Sequence, residues 1–360
     1  MELQERFELM QAVGEEIVEP DQLLALLEKN EKIIAYDGFE PSGQIHIAQG
    51  ILRAINVNKI TKAGVKFKML VADWHAWANN KMGGDLEKIK IVGQYFIEVW
   101  KAGGMDLANV EFVWASDLMK NSNYWKLVLQ ISKTNALKRF VRTAEIMGRE
   151  ESLDKLTGAN IIYSCMQTAD IFMLGAKITQ LGMDQRKVNM LAREIGPQLG
   201  FWKPVVVSHH MLMGLGQPAP TVNSDKVKRT IDLKMSKSKP DTSIFMTDTA
   251  EDIKRKVGKA WCPEGQTSEN PVLEYCKYII FEKFDQIIVE RAEKFGGTVI
   301  LNSYANLEKA FAEKQIHPLD LKHAVAGYLD QLLQPVRRHF DDNAYAHGLL
   351  EKVKSFTVTR

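Results

Sequence analysis

Short apolar runs alternate along much of the chain with segments in which apolar residues recur at helical spacing. The runs lie at residues 32–38, 65–73, 110–115 and 204–208, and a turn and a helical segment, 46–62, follow the first of them. A strand buried on both faces reads as a continuous apolar run, and strands that alternate with helices are typical of a parallel sheet. The pattern therefore predicts an α/β domain whose parallel sheet is covered by helices on both faces.

Helical periodicity fills most of the remaining sequence. Residues 4–29 predict two amphipathic helices with a break between them, and a longer helical stretch, about 116–176, interrupts the strand pattern as an inserted subdomain would. The last third of the chain has helical segments and no clear strand. We therefore predict two domains: an α/β domain in residues 1–240 with a helical insertion, and an all-helical domain in residues 241–360.

The composition excludes several classes of protein. The 360 residues, 45% apolar and 26% charged, suffice for two domains with their own cores. Because there is no run of eighteen apolar residues and Met1–Glu5 is acidic, we expect no membrane span and a cytoplasmic location. Cys165, Cys262 and Cys276 lack metal-binding spacing, so no structural metal site is expected. With a net charge of only +2, any nucleic-acid contact must be local.

The most distinctive polar segment is Lys234-Met235-Ser236-Lys237-Ser238, which Pro240 follows closely. Lysines supply point charges for a polyphosphate, although a lysine-rich turn by itself is most often a solvated loop. Letter for letter, the segment resembles the K-M-S-K-S signature of class I aminoacyl-tRNA synthetases. The resemblance implies a Rossmann-like catalytic domain and an ATP-dependent reaction in which Lys237, supported by Lys234, contacts phosphate.

A second signature is expected where the first strand meets the next helix, because α/β sheets bind ligands at the carboxyl ends of their strands. His46-Ile47-Ala48-Gln49-Gly50 stands there. A histidine at a helix start is about as often a cap or a surface residue, but this segment resembles the H-I-G-H signature of the same enzymes. Gln49 replaces the second histidine, as in relatives of the tyrosine and tryptophan branch. The resemblance implies that Mg²⁺ and His46 stabilise the reacting phosphate and that four residues bind ATP: Gly38, His46, Gln49 and Gly50.

Polar residues on one helix face indicate the amino acid that is activated. In the helix from Gly158, spacings of four and three place Tyr163, Gln167 and Asp170 on one side, among apolar neighbours that favour a pocket wall over an amphipathic surface. With the segments 182–187, 294–297 and 317–322, this face resembles the archaeal and eukaryotic type of tyrosyl-tRNA synthetase over nearly the whole chain. The resemblance implies Tyr36 and Asp170 at the substrate phenol, and four residues around its ammonium group: Glu40, Tyr163, Gln167 and Gln185.

This resemblance implies a tyrosine–tRNA ligase, which makes tyrosyl-adenylate and pyrophosphate from L-tyrosine and ATP and then esterifies tRNA(Tyr). A buried Asp and Tyr would lose their partner if phenylalanine bound, which makes such a site selective. One alternative is a tryptophan-specific relative, against which Tyr36 and Asp170 argue. The other is a catalytically silent tRNA-binding protein, against which the intact His46, Lys234 and Lys237 argue.

The resemblance also implies a homodimer, joined through the inserted helices, and two groups of tRNA contacts. The acceptor end would meet basic residues: Lys138, Arg139, Arg142 and Arg186. In the helical domain, which would then bind the anticodon, His317 and Asp320 match positions that read the first anticodon base. Ile279 stands where archaeal members place an aromatic residue that stacks on this base.

Overall fold

The structure is a computed structural model that describes residues 1–29, 31–144, 157–220 and 226–356. Within these ranges six strands form one sheet: β1 (Gly14–Val18), β2 (Ile34–Phe39), β3 (Lys66–Val71), β4 (Val110–Trp114), β5 (Ile178–Thr179) and β6 (Val205–His209). Their order is β1-β6-β5-β2-β3-β4, and all neighbours run parallel except β1, which is antiparallel to β6. The predicted α/β class is confirmed.

Helices lie between and beside these strands. They are α1 (Leu3–Gln11), α2 (Pro20–Glu28), α3 (Ile51–Lys62), α4 (Asp73–Ala78), α5 (Leu86–Ala102), α6 (Ala115–Leu118), α7 (Ser122–Ser132), α8 (Leu137–Ala144), α9 (Gly158–Met173), α10 (Arg186–Gln198) and α11 (Lys226–Leu233). Between β4 and β5, α7 and α8 both pack against α9. The part of the predicted insertion at 145–156 is outside the described residues.

The N-terminal segment differs from its prediction, because the strand β1 separates α1 from α2 where two helices with only a break between them were expected. Val13 and Ile17 are four residues apart, which suits a helix. However, Ile17 pairs with Val207 of β6, and this pairing satisfies the backbone groups of both strands. The helical prediction is wrong for these residues because they pair with strand β6 of the sheet. The local sequence of residues 13–17 does not reveal that this strand lies beside them.

The C-terminal part is helical, as predicted. It contains α12 (Ala250–Gly258), α13 (Pro271–Tyr275), α14 (Tyr304–Ala312), α15 (Pro318–Asp342) and α16 (Ala344–Ser355), and also a short antiparallel ribbon of β7 (Ile287–Val289) and β8 (Val299–Leu301) that was not predicted. Three residues per strand are too few to show a period. Both α15 and α16 pack against α5, so one apolar core continues from the sheet into the C-terminal helices.

Two expectations from the composition concern the described residues directly. Cys165, Cys262 and Cys276 are buried free thiols. Among the helices of the described ranges, none combines the length and the apolar character that crossing a membrane requires.

His210, which follows β6, connects the sheet to the C-terminal helices. Its Nδ1 is 2.8 Å from Glu15 Oε2 on β1, and its Nε2 is 2.5 Å from Glu274 Oε1 on α13. The ring also stacks on Tyr278, with centroids 4.2 Å apart. Burial alone would lower the pKa of His210, but the hydrogen bonds and charges of the two carboxylates raise it to about 9.

This raised pKa predicts a stability that falls in mild alkali. The contribution of His210 is fully present below its unfolded pKa of about 6.5 and is lost as the pH rises through about 9. Replacing His210 with glutamine leaves both carboxylates without their cation, and we expect it to cost roughly 2–3 kcal/mol near neutral pH. Melting temperatures of both proteins across this pH range test the prediction. A wild-type slope that matches the variant slope would contradict it.

Candidate active site

A cleft of about 1090 Å³ lies at the carboxyl ends of β2, β3 and β6. Eleven residues that the sequence analysis selected line it: Tyr36, Gly38, Glu40, His46, Gln49, Tyr163, Gln167, Asp170, Gln185, Lys234 and Lys237. These residues come from segments far apart in the sequence. The fold therefore brings these predicted residues together around one cleft, with Gly50 as the exception considered below.

Asp170, on α9, is the fully buried acid of this cleft. Tyr124 Oη donates a hydrogen bond of 2.9 Å to Asp170 Oδ1, and His75 Nε2 lies 2.9 Å from Asp170 Oδ2. Burial works to lower the pKa of His75, but the nearby carboxylates of Asp170, Glu40 and Asp73 together raise it. Tyr124 and His75 therefore fix the position of the Asp170 side chain. Neither Tyr124 nor His75 was predicted to belong to the site.

Tyr36, in the middle of β2, lines the same cleft and is 1% exposed. Among the described residues its hydroxyl makes no hydrogen bond of ordinary geometry, and an interaction with Gln167 makes the smallest of the contributions to its pKa. Burial, and then the charges of Asp170 and Asp37, raise its pKa well above the ordinary value, so this phenol stays protonated at neutral pH. A buried polar atom without a partner is costly. The geometry therefore suits a ligand whose polar group meets both Tyr36 and Asp170.

Glu40 anchors a second polar group in the cleft. Tyr163 Oη donates to Glu40 Oε1 at 2.7 Å, and Asn79 Nδ2 lies 3.0 and 3.1 Å from its two oxygens. Gln167 Nε2 also donates to Gln185 Oε1 at 3.0 Å. Carboxylate and amide oxygens are acceptors, and together they can bind an ammonium group.

The His46 segment is organised differently from its prediction. The helix was expected to begin at His46, but α3 begins at Ile51, and His46 instead forms an isolated antiparallel bridge with Phe245. The spacing of apolar residues is the same in an isolated turn and in the first turn of a helix, so it does not locate the residue at which the helix begins. Burial, and then the charges of Lys237 and Lys234, lower the pKa of His46 to about 3. The imidazole is therefore neutral and can donate one N–H.

Gln49 and Gly50 take part in packing as well. The main-chain oxygen of Gln49 accepts a hydrogen bond from Trp100 Nε1 at 2.8 Å. A Cβ added to Gly50 would stand 2.2 Å from Met246 Sδ, and Met246 is fully buried. Glycine at position 50 is thus required by the close approach of Met246, and this residue does not line the cleft.

The lysine loop begins and ends on fixed backbone. Met235 N, near the start of the loop, donates to Leu212 O at 2.8 Å, and Ile244 O, beyond its end, accepts from Ile47 N at 2.9 Å. Within the loop segment, Lys234 Nζ pairs with Asp184 Oδ2 at 2.7 Å.

Lys237 is the lysine whose charge is most perturbed by the cleft. Its Nζ donates to Ser42 Oγ at 3.2 Å and lies 4.6 Å from the centre of the Phe96 ring. Burial, and then the charge of Lys81, lower the pKa of Lys237 to about 7. An anion bound beside this ammonium group would restore its charge.

A buried charged cluster beneath the cleft was also missed. Arg53 Nη1 is 2.6 Å from Asp37 Oδ2, and Arg53 also donates to the main-chain oxygen of Gln180 at 3.3 Å and to its side-chain oxygen. His209 Nδ1 lies 3.1 Å from both Arg53 Nη1 and Gln180 Nε2, so it acts as an acceptor and the ring is neutral. The signal in the sequence was an arginine inside the otherwise apolar face of α3. This cluster supports the turn at Asp37-Gly38, where Gly38 N donates to Asp37 Oδ1 at 2.8 Å.

The residues predicted to contact tRNA lie outside the cleft. Some have exposed side chains, and others form ion pairs within the fold. Lys138 and Arg142 are exposed on α8, four residues apart and therefore on one face. In contrast, Arg139 pairs with Glu194 at 2.7 Å and Arg186 pairs with Glu16 at 2.8 Å. Those two arginines are already engaged within the fold.

In the C-terminal part, His317 is exposed and caps α15, since its Nδ1 accepts from Leu319 N at 3.2 Å. Asp320 follows in the first turn of that helix. Ile279 is fully buried in the core. A side chain in that position cannot stack on a base, so the predicted role does not fall to Ile279.

Comparison with known proteins gives a consistent result. A model of the family "tRNA synthetases class I (W and Y)" matches residues 28–334. Two cytoplasmic tyrosine–tRNA ligases of Arabidopsis thaliana, numbers 2 and 1, are 48% and 47% identical over the whole chain, which spans 46% and 90% of their lengths. The crystal structure of tyrosyl-tRNA synthetase from Pyrococcus horikoshii, complexed with L-tyrosine, is 38% identical with a TM-score of 0.91. This alignment covers 99% of this chain and 100% of that one.

Proposed function

The chain belongs to the class I tyrosyl-tRNA synthetases, and on this basis we propose that it activates L-tyrosine with ATP and transfers the tyrosyl group to tRNA(Tyr). Because the chain spans less than half of one Arabidopsis relative, the proposal concerns the reaction that these 360 residues carry out. We place this reaction in the cytoplasm, the location that the names of both Arabidopsis relatives give.

The observation that carries the proposal is that Asp170 and Tyr36 are both buried and line the same pocket. The substrate phenol would donate its proton to the Asp170 carboxylate and accept a hydrogen bond from Tyr36 Oη. A phenylalanine ring would leave both groups unpaired, and the cost of that loss is what rejects it. Glu40, Gln167 and Gln185 supply the acceptors for the substrate ammonium group.

The reaction then follows from positioning and charge. An oxygen of the tyrosine carboxylate forms a bond to the α-phosphorus of ATP, and the bond from that phosphorus to the leaving oxygen breaks, so its electron pair departs with pyrophosphate. His46 donates its N–H toward the phosphates, and Lys237 faces the negative charge that develops. Within the described residues no group of three His, Cys, Asp or Glu side chains could hold a metal. We therefore assign Mg²⁺ to the substrate, as the MgATP complex.

The direct test is ATP–pyrophosphate exchange with tyrosine, tryptophan and phenylalanine in parallel, followed by charging of tRNA(Tyr). Exchange with tyrosine alone, together with charging, is the expected result. Exchange with tryptophan would move the chain to the sister specificity. Protein that binds tRNA(Tyr) but exchanges with none of the three amino acids would support a silent RNA-binding role instead.

For tRNA, we infer that the exposed face of α8 meets the acceptor stem and that residues 241–360 bind the anticodon through His317 and Asp320. Replacing Arg142 with glutamate is expected to lower kcat/KM for tRNA charging about 10-fold or more, because one phosphate contact becomes a repulsion. Tyrosine-dependent exchange should stay unchanged. A charge reversal at Lys62, exposed on α3, serves as the matched control, and an equal loss in the two variants would contradict a specific role for α8.

We also infer a homodimer, joined through helices α4, α7 and α9. Large apolar side chains are exposed on these helices: Trp77 at 50%, Trp125 at 36%, Leu129 at 65% and Ile162 at 45%. Exposed apolar groups of this density mark interaction surfaces. Replacing Ile162 with aspartate is therefore expected to shift the molecular mass in light scattering from dimer to monomer. The same change at Ile300, exposed on β8, should leave the mass as it is, and a variant at Ile162 that stays dimeric would rule out this surface.

A further inference from the structure

The lysine loop is held at its start by the chain that follows β6, residues 210–215. Met213 and Lys234 form an isolated antiparallel bridge, and Met235 N donates to Leu212 O at 2.8 Å. Because the hydrogen bonds of this bridge join the neighbours of the bridged pair, the N–H and C=O of Met213 itself point away from the loop. Those two backbone groups therefore face a third element.

The third element is α13 of the C-terminal helical part. Glu274 Oε2 accepts from Met213 N at 2.6 Å, and Tyr275 Oη donates to Met213 O at 2.8 Å. Tyr275 is fully buried, and the side chain of Glu274 is 12% exposed. Two side chains of α13 thus satisfy both backbone groups of Met213, as a neighbouring strand would do.

Glu274 is itself fixed through its other oxygen. Its Oε1 lies 2.5 Å from His210 Nε2, and the ring of His210 stacks on Tyr278. Tyr278 belongs to a π-helical turn, Cys276–Ile280, that continues α13, and turns of this kind are frequent at functional sites. One carboxylate therefore ties both His210 and Met213 to the C-terminal helical part.

Lys237, which faces the phosphates in the proposed reaction, lies three residues beyond Lys234. A backbone shift at Lys234 would move Lys237 as well, and a misplacement of about 1 Å costs up to about 100-fold in rate. We propose that Glu274 is a positioning residue for the lysine loop, acting through the backbone of Met213, so that the C-terminal helical part contributes to the activation of tyrosine. This inference rests on the proposed function.

Two substitutions at position 274 separate this role from a purely structural one. Glutamine keeps an oxygen that can accept from Met213 N but loses the charge that His210 faces, whereas methionine loses both. Both variants are expected to unfold at a lower denaturant concentration than wild type. Only Glu274→Met should lower kcat for tyrosine-dependent ATP–pyrophosphate exchange, by about 10- to 30-fold per active site. Glu274→Gln should stay within about threefold, and KM for tyrosine should change less than about twofold in both variants.

Glu282→Met is the matched control. Glu282 also joins the C-terminal part to the α/β domain, but its partner, at 2.7 Å, is Lys59 of α3. We expect this variant to lose less than about twofold in kcat. Tyr275→Phe is the milder test if Glu274→Met does not fold, since it removes only the hydroxyl that donates to Met213 O. Its kcat should fall about three- to tenfold.

Coupling to Lys237 shows whether Glu274 acts through the loop. In a Lys237→Met background, Glu274→Met should lower kcat by less than about twofold further, because substitutions that act through one group are not additive. Hydrogen–deuterium exchange of the backbone amides in residues 212–215 and 233–237 gives a readout that needs no catalysis. It should become at least about 10-fold faster in Glu274→Met and stay unchanged in Glu282→Met.

Three results would overturn the inference. They are equal losses of kcat in Glu274→Gln and Glu274→Met, a full additional loss in the Lys237→Met background, and hydrogen–deuterium exchange of residues 233–237 that stays as slow in Glu274→Met as in wild type. Failure of the proposed function gives a different result. Wild-type protein would then show no ATP–pyrophosphate exchange with any amino acid, while the protection of amides in residues 233–237 would still depend on Glu274.

Discussion

Replacing Asp170 with asparagine is expected to lower kcat/KM for tyrosine about 10³-fold, which corresponds to about 4 kcal/mol. The carboxylate accepts from Tyr124 Oη at 2.9 Å and lies 2.9 Å from His75 Nε2, and it must also accept from the substrate phenol. An amide keeps the shape but has one acceptor oxygen, and it removes the negative charge that His75 faces. The phenol then competes for a single weak acceptor.

The measurement is tyrosine-dependent exchange, with phenylalanine alongside. Because the loss concerns the phenol contact, discrimination between the two amino acids should decline together with the rate for tyrosine. Tyr124→Phe is the matched control, since it removes one donor to Asp170 and leaves the charge, and its loss should stay within about 10-fold. An Asp170→Asn enzyme that folds normally and retains kcat/KM within about threefold would show that the phenol binds elsewhere.

Replacing Lys237 with methionine is expected to lower kcat for exchange about 10³-fold, with little change in KM for tyrosine. The ammonium group lies against Phe96 and Ser42 in the cleft, where charge is screened less than in water. Its interaction with phosphate grows as pyrophosphate departs. Lys239→Met, which removes an exposed lysine of the same loop, should have an effect of less than about threefold. Equal effects of the two substitutions would contradict a specific role for Lys237.

The lowered pKa of Lys237 adds a pH dependence to this prediction. In the free enzyme the group is charged below pH about 7 and neutral above it, so kcat/KM for ATP should decline as the pH rises through that value. Lys237→Arg keeps its charge at any of these pH values and should remove the decline. A decline that persists unchanged in the arginine variant would assign the titration to another group.

Much of the tyrosine pocket could be predicted because it follows from local periodicity. Tyr163, Gln167 and Asp170 share a face of α9 since a helix repeats every 3.6 residues, and Tyr36 belongs to a strand whose carboxyl end faces ligands in any parallel sheet. The helix from Gly158 to Met173 begins where it was predicted to begin. These features need no knowledge of distant neighbours.

The partners of those residues could not be predicted in this way. His75 lies on α4, a helix of six residues, and Tyr124 lies on α7. The sequence pattern of neither helix indicates that it contacts Asp170. Likewise, the pairing of Arg139 with Glu194 and of Arg186 with Glu16 depends on how separate helices and strands pack. A basic cluster in the sequence therefore overstates the number of arginines that are available to RNA.

The backbone bridge between His46 and Phe245 limits the insertions, deletions and loop exchanges that this enzyme can tolerate. Because Ile47 N donates to Ile244 O and Met246 N donates to Ile45 O, the histidine signature and the segment that follows the lysine loop are joined as two adjacent extended chains. An insertion or deletion in either one would slide its partner as well. A lysine loop taken from a relative must therefore be exchanged together with the segment around His46. The two segments have to change together although they are far apart in the sequence.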